Sequence, residues 1–267
     1  MNILDQIVVH KKSEVAERKS LFPVKLLEKS IYFESQAVSL KKYVLREDKC
    51  GIIAEIKRKS PSRKEINSNV SIERTSIGYM QAGASALSIL TDEQFFGGSN
   101  NDLTVARKFN FCPILRKDFV IDEYQVIEAK SIGADAILLI AAILDPTRIK
   151  TLANLAHSIG LEVLLEVHNE SEVNQNAEAP IDLIGVNNRD LKTFAVTIET
   201  SKRLSSILPN HLTKISESGI DSPTAIHELR QFGFDGFLMG QAFMQHSRPE
   251  LACKEFIQTL KRKTVLI

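Results

Sequence analysis

One theme recurs through this chain after its first fifty residues: a helical stretch, a glycine, a small or apolar residue, then a run of aliphatic and β-branched side chains. QAGASALSIL closes at Leu90, SIGADAILLI at Ile140, SIGLEVLLEV at Val167 and QFGFDGFLMG at Gly240. Gly83, Gly133, Gly160 and Gly233 each fall just past a helical stretch, where a left-handed residue ends a helix and a Cβ would clash. With GIIAEIK, CPILRKD, IDLIGVNNRD and LTKISESG added, the pattern predicts eight strands, roughly 20 to 35 residues apart, with helical segments between them. That order is the order of a (β/α)8 (TIM) barrel. An open doubly wound sheet would carry a dinucleotide-type glycine fingerprint after its first strand, and RKSPSR stands there in place of GxGxxG.

Ahead of the first strand, Ile3, Leu4, Ile7, Val8 and Val15 recur at helical spacing, and a second patterned stretch follows around Leu26, Leu27 and Ile31. Residues 1–48 therefore read as a helical extension, and no linker rich in glycine, proline or serine separates it from the barrel. We expect one domain over 1–267. At 43% hydrophobic residues the chain can build an extensive core.

Thirty-four basic against 33 acidic residues, without a long run of either sign, exclude a general nucleic-acid or anionic-membrane surface. The 3 cysteines, Cys50, Cys112 and Cys253, are far apart and fit neither a disulfide framework nor a zinc spacing, so no metal is expected and a reducing compartment is. MNILDQIVVHKKSEV does not read as a secretory signal, and the longest apolar run, Ala136 to Leu144, is too short to span a bilayer. The expected setting is cytoplasmic.

Charges gather at the carboxyl ends of the strands, the face on which such barrels do their chemistry. Glu55 and Lys57 end the first strand, Lys117 and Asp118 the third, Glu166 the fifth, Asn187 and Arg189 the sixth, Glu217 and Ser218 the seventh. Side chains two apart share a face of a strand, so Glu55 goes with Lys57, Leu115 with Lys117, Leu164 with Glu166 and Asn187 with Arg189. Each charge alone could simply be solvated at a loop start. Together, lysines and carboxylates facing one mouth couple electrostatically, so that an ammonium serves as acid and a carboxylate as base. Neighbouring carboxylates oppose the lowered pKa that a Schiff-base lysine needs.

Gly219 and Gly240 follow strands seven and eight directly, where barrels commonly bind phosphate through backbone N–H groups, and Ser60 and Ser218 add hydroxyl donors. Turn glycines and helix caps are the plainer roles for these residues. Phe95, Phe96 and Phe119 stand beside strand ends and can wall an aromatic group or simply cap the core. His168 shares a face with Glu166 but stands alone, with no second histidine to suggest a metal pair, and is left outside the expected site.

The motifs AEIKRKSPS, SILTDEQFFGGS, PILRKDFVIDEYQ, LLEVHNE, IGVNNRDLKTF and ISESGI, in this order, resemble the indole-3-glycerol-phosphate synthase family of tryptophan biosynthesis. The opening ILDQIVVHKKSEVAERK is similar to that family's extra amino-terminal helix. The resemblance implies a carboxy-lyase on a (β/α)8 barrel that closes the pyrrole ring of 1-(2-carboxyphenylamino)-1-deoxyribulose 5-phosphate with loss of carbon dioxide and water, using no cofactor. It implies Lys117 as the acid at the carbonyl oxygen, Lys57 as holder of the substrate carboxylate and an acid for dehydration, and Glu166 and Glu55 on the base side. Asn187 and Glu217 would position groups, Ser60, Ser218, Gly219 and Gly240 would meet phosphate, and Arg189 would steady the mouth. Phe96, Phe119, Leu138 and Leu191 would line the aryl pocket. The implied partner is a small phosphorylated aromatic molecule, neither nucleic acid nor membrane, with the protein a monomer or weak homo-oligomer. Arg63, Lys64 and Glu65 depart from the family's usual SPS, basic residue and glycine, which bears on how the first active-site loop moves.

Two other readings stand beside this one. Phosphoribosylanthranilate isomerase, another phosphate-binding barrel, works with a cysteine and an aspartate, but Cys50 precedes the first strand and Glu55 and Lys57 occupy its end. A non-catalytic barrel serving as a binding subunit would be expected to lack at least one charge of the cluster, and none is missing.

Overall fold

The computed structural model describes residues 3–264. Eight parallel strands, β1 (Ile52–Ile56), β2 (Ala86–Leu90), β3 (Ile114–Lys117), β4 (Ala136–Ile140), β5 (Glu162–Val167), β6 (Leu183–Asn187), β7 (Thr213–Glu217) and β8 (Gly236–Met239), close in sequence order, with β1 pairing to β8. This is the expected TIM barrel. The hinge glycines do what their positions require: Gly83, Gly133, Gly160 and Gly233 all have left-handed backbones, with φ of +102°, +94°, +78° and +80°.

Alternation along each strand sorts two apolar cores. Ile53, Leu115, Leu138, Leu164, Leu183, Ile215 and Leu238 point into the barrel, whereas Ile52, Leu87, Ile114, Val163 and Ile184 meet the surrounding helices. The inward series then changes character toward the carboxyl ends, where Glu55, Lys117, Glu166, Asn187 and Glu217 replace hydrocarbon.

The amino-terminal extension closes both ends of the barrel. The expected first helix forms as α1 (Ile3–Leu21), and Ile7 joins the barrel's inner core from above. The second patterned stretch yields only the short α2 (Val24–Leu27), with Ile31 beyond it 83% exposed. A third helix, α3 (Leu40–Val44), was not evident from periodicity; its Leu40 and Val44 plug the barrel floor. The floor receives it through polar contacts, as Val38 N–H donates to Asp135 Oδ1 at 2.8 Å and Lys41 N–H to Glu162 Oε2 at 2.8 Å. Of the chain expected to form the extension and barrel, residues 1, 2 and 265–267 lie outside the described residues. Among the described residues no helix is long and apolar enough to cross a membrane.

One buried ammonium does much to fix α1 over the mouth. Lys11 is fully buried, with Nζ 2.9 Å from Asp92, 3.0 Å from Asp118 and 2.9 Å from Glu14. Burial opposes its charge, but Asp118 and Asp92 prevail and hold it protonated above the ordinary lysine range. Asp92 in turn accepts the N–H groups of Phe95 and Phe96 at 2.7 and 3.2 Å, and Asp118 accepts that of Phe119 at 2.8 Å. Lys11→Met leaves Asp92 without a cation in the interior and Asp118 with Arg116 alone, and breaking a buried pair in this way typically costs about 3–5 kcal/mol. We expect a melting temperature lower by roughly 10 °C, read by thermal denaturation; an unchanged value would show that hydrocarbon packing alone seats α1.

Candidate active site

The polar ends of the inward series open into a cavity of about 460 Å³, well within the range that small-molecule sites occupy. Every residue that the family resemblance implies lines it, Glu55, Lys57, Ser60, Phe96, Lys117, Phe119, Leu138, Glu166, Asn187, Arg189, Leu191, Glu217, Ser218, Gly219 and Gly240, whereas Phe95, the other aromatic candidate, packs against His10 of α1 instead. Among the lining residues that were not foreseen are Ile3, Leu4 and Ile7 of α1. Their helical spacing was visible, but nothing in the sequence says which face of the barrel that helix covers.

At the centre, Lys117 Nζ lies 2.9 Å from Glu166 Oε2 and 2.7 Å from Glu217 Oε2. Burial works against the Lys117 charge, yet the two carboxylates outweigh it and keep the ammonium protonated. The carboxylates themselves diverge. Burial pushes Glu166 up, but Lys117 and His168 more than reverse this and leave it ionised, below the usual carboxylate range. Burial also dominates at Glu217, where Lys117 pulls back and Glu166 adds repulsion, so its pKa rises to about 7. A glycine makes the arrangement possible: Gly185 stands beside Glu166 on the neighbouring strand, and a Cβ there would strike the Glu217 carboxylate.

A second pair sits across the mouth, with Lys57 Nζ 2.6 Å from Glu55 Oε1. Gly240 packs against it so closely that a Cβ would come within 2.5 Å of Glu55 Oε1. His168, left outside the site on sequence grounds, does not line the cavity but stands behind Glu166, its Nε2 3.3 Å from Oε1. Its other ring nitrogen faces Glu172 on the following helix, a partner that residue spacing on a strand cannot reveal.

The cavity has two unlike walls. On one side Phe96 and Phe119 stack at a tilt, ring centroids 5.8 Å apart, beside Leu138, Ile140 and α1. On the other, Ser60, Ser218, Gly219 and Gly240 present small polar groups and backbone. Ser218 and Gly219 are both left-handed, with φ of +66° and +72°. A non-glycine residue held there is strained by about 1–3 kcal/mol. Asn188 restrains it by donating to the Ser218 carbonyl at 3.1 Å and to Ser216 Oγ at 3.0 Å. Arg189 is fixed through its backbone N–H to Asn187 Oδ1 at 3.0 Å and its guanidinium to the Phe194 carbonyl at 3.2 Å. The first loop closes on itself, as Ser60 N–H donates to the Arg63 carbonyl at 2.8 Å and Arg63 N–H returns the bond at 3.0 Å. Lys64 stands where the family resemblance has glycine, and Glu65 beside it accepts from Ser68 Oγ at 2.7 Å.

Fold and site together define the class: a (β/α)8 barrel with a buried lysine in contact with two glutamates, set between an aromatic wall and a polar wall of serine and glycine. The comparisons narrow it. The indole-3-glycerol phosphate synthase pattern matches residues 4–256. A protein of that description from Bacteroides thetaiotaomicron is 44% identical over 260 residues, covering 97% of this chain and 99% of its own. Another from Thermoanaerobacter pseudethanolicus is 42% identical over 243 residues, covering 91% and 92%. The chain belongs to the indole-3-glycerol phosphate synthase family. Among solved structures, 3-hexulose-6-phosphate synthase from Salmonella typhimurium shares the fold, with a TM-score of 0.62 at 14% identity, covering 80% of this chain and 99% of that one.

The central triad has a pH signature. In Lys117→Met the ammonium that both carboxyls share is gone, so Glu217 is left with burial alone and Glu166 with only His168, and both bind protons more tightly than in the wild type. Glu217 already reaches about 7 with Lys117 present, so the variant loses stability as pH rises above the ordinary 4.5 and goes on losing it past the point where the wild type stops. We expect its melting temperature to trail the wild type by more at about pH 8 than at about pH 5; an equal deficit at both would show the carboxylates do not depend on Lys117.

Proposed function

We propose that this barrel closes the pyrrole ring of 1-(2-carboxyphenylamino)-1-deoxyribulose 5-phosphate, releasing carbon dioxide and water to give indole-3-glycerol phosphate. The observation that carries the assignment of roles is Lys117 in contact with Glu166 and Glu217 at the floor of a cavity with one aromatic and one polar wall. The anthranilate ring lies against Phe96, Phe119, Leu138 and Leu191, and the phosphate meets Ser60, Ser218, Gly219 and Gly240. Arg189 and Asn187 steady the ribulose chain between them.

The aryl carbon bearing the carboxylate attacks the ketone, and Lys117 donates a proton as the carbonyl oxygen becomes a hydroxyl. The ring nitrogen is then an iminium, and the C–CO2 bond breaks with its electron pair flowing to that nitrogen, which restores the aromatic ring. Decarboxylation therefore demands no separate electron sink. Lys57, which first holds the substrate carboxylate, protonates the departing hydroxyl while Glu166 removes the adjacent C–H proton. Glu166 Oε2 stands 2.9 Å from Lys117 Nζ, so the proton taken up by the base can return to the acid. Two protons are given and one is recovered; the other comes from solvent, because the carboxylate leaves as neutral carbon dioxide. Glu55 holds Lys57 charged and in place, and Glu217, 2.7 Å from Lys117, helps to hold that lysine in place.

We further infer a cytoplasmic monomer or weak homo-oligomer; the three free, buried thiols Cys50, Cys112 and Cys253 support a reducing setting. Size-exclusion chromatography measures the oligomeric state.

Product formation is followed by indole fluorescence, and purified protein that leaves the ribulose phosphate unchanged would overturn the assignment. Lys117→Met is expected to lower kcat by at least about 100-fold while substrate still binds; near-normal turnover would reduce Lys117 to a structural ion. Inorganic phosphate should compete with substrate. Gly219→Val should weaken both, since residue 219 is left-handed and its Cβ would meet Val196 Cγ1 at 2.5 Å. Phosphate that does not inhibit at any concentration would move the phosphate wall elsewhere.

A further inference from the structure

Lys117 is shared almost evenly, 2.9 Å from Glu166 and 2.7 Å from Glu217, and contact with that ammonium alone cannot decide which carboxylate is the base. Two buried carboxylates around one ammonium do not both ionise readily near neutrality, because like charges in a low-dielectric site repel. Something beyond the lysine must break the tie.

The asymmetry lies in the outer oxygens. Glu166 Oε1 faces the His168 imidazole, with Nε2 at 3.3 Å in an ion-pair contact without hydrogen-bond geometry, and that side chain is only 10% exposed. Glu217 Oε1 is buried over Gly185, and among the described residues no hydrogen bond reaches it. The imidazole is held from behind: Glu172 Oε2 takes the His168 backbone N–H at 2.7 Å and lies 3.3 Å from Nδ1. Glu172 is itself fixed by Asn169, which accepts its backbone N–H at 3.0 Å and donates to Oε1 at 2.6 Å. With Nδ1–H directed at Glu172, the ring presents Nε2 to Glu166.

We propose that His168 is a positioning residue that assigns the negative charge to Glu166 and leaves Glu217 to carry the shared proton. The proposal deepens the reading of Glu166 as the base and rests on it. The charged groups around the pair are Glu166 on β5, Glu172 on the helix Glu170–Gln175, and Lys117 on β3 with Glu217 on β7 beyond it. Burial disfavours the imidazolium, but Glu166 and Glu172 override it and raise His168 to about 9, so the ring is charged at neutral pH. Glu217, at about 7, is the carboxyl that holds a proton there.

Histidine-to-glutamine substitution keeps a polar side chain and removes the charge. In H168Q the proton that belonged to Glu217 is partly transferred to Glu166, and the base is lost most where the pair holds one proton. Below about pH 7 the rate should fall; above it both carboxyls ionise and the competition ends. The wild-type to H168Q ratio of kcat is expected to rise about tenfold, the equivalent of one pKa unit, between about pH 8.5 and about pH 6, with KM changing less than about twofold. A ratio that is constant with pH would overturn the proposal, since a merely structural role lowers the rate evenly. Should H168Q fail to fold, E172Q keeps the imidazole while withdrawing its supporting carboxylate, and the same ratio should rise in the same direction by a smaller factor.

Titration of 13C-labelled glutamate carboxyls tests the charge assignment without turnover. The low-pKa resonance that E166Q removes should move up in the histidine variant, and an unmoved resonance would overturn the proposal. Wild-type protein that titrates as expected yet makes no product would instead remove Glu166 from the base role and leave the charge assignment standing.

Discussion

Three consecutive charges at the end of one short strand organise much of this molecule. Arg116, Lys117 and Asp118 cannot all face the same way on an extended backbone. Alternation sends Lys117 into the barrel mouth, to Glu166 and Glu217, and Arg116 outward, where its guanidinium reaches Glu128 at 2.7 Å and Asp118 at 3.1 Å. Asp118 then turns to meet Lys11 of α1. An unpaired ion in any of these places would cost several kcal/mol. Each partner is therefore drawn to its charge, and the extension, the surrounding helix Glu123–Ser131 and the floor of the cavity are registered against one another through β3. The helix gains a further tie from the extension, since Arg18 Nε lies 2.5 Å from Glu128 and the Tyr124 hydroxyl donates to the Phe22 carbonyl at 2.9 Å.

The same strand shows why part of this arrangement is legible in the amino-acid sequence and part is not. Period-two alternation is a local property, so Leu115 with Lys117 and Leu164 with Glu166 could be given a common face from spacing alone. The hinge glycines announced the strand starts for the same local reason. The docking of α1 could not be read that way. Lys11 looks like one more polar residue in a helix, and its carboxylates are 81 and 107 positions further along the chain. Periodicity found the hydrophobic stripe of α1 but missed α3, whose five residues are too few to establish a period.

His168 marks another limit of local reading. A lone histidine at a strand end is ordinarily solvated, and the sequence offers no contrary sign, because Glu172 becomes a partner only once the helix that Asn169 caps folds back over the ring. The difference between Glu166 and Glu217 was equally hidden. Both are glutamates at the ends of strands, both touch Lys117, and spacing treats them alike. Their unlike protonation comes from what lies behind each, an imidazolium for one and the bare face of Gly185 for the other.

That contrast bears on how two lysines divide the acid work. Lys57 has one carboxylate at 2.6 Å and a side chain that is 19% exposed, whereas Lys117 has two and is 13% exposed. An ammonium held by two buried carboxylates is a poor spontaneous donor, so Lys117 gives up its proton only to an oxygen that becomes strongly basic in the transition state, as a ketone oxygen does when carbon attacks it. Its immediate neighbour can then supply the replacement proton. Lys57, singly paired and nearer to solvent, suits the step in which a proton must finally leave with water and be replaced from outside. The proposed order of the two acids thus follows from how tightly each lysine is held, which is a matter of the carboxylates around them and not of the lysines themselves.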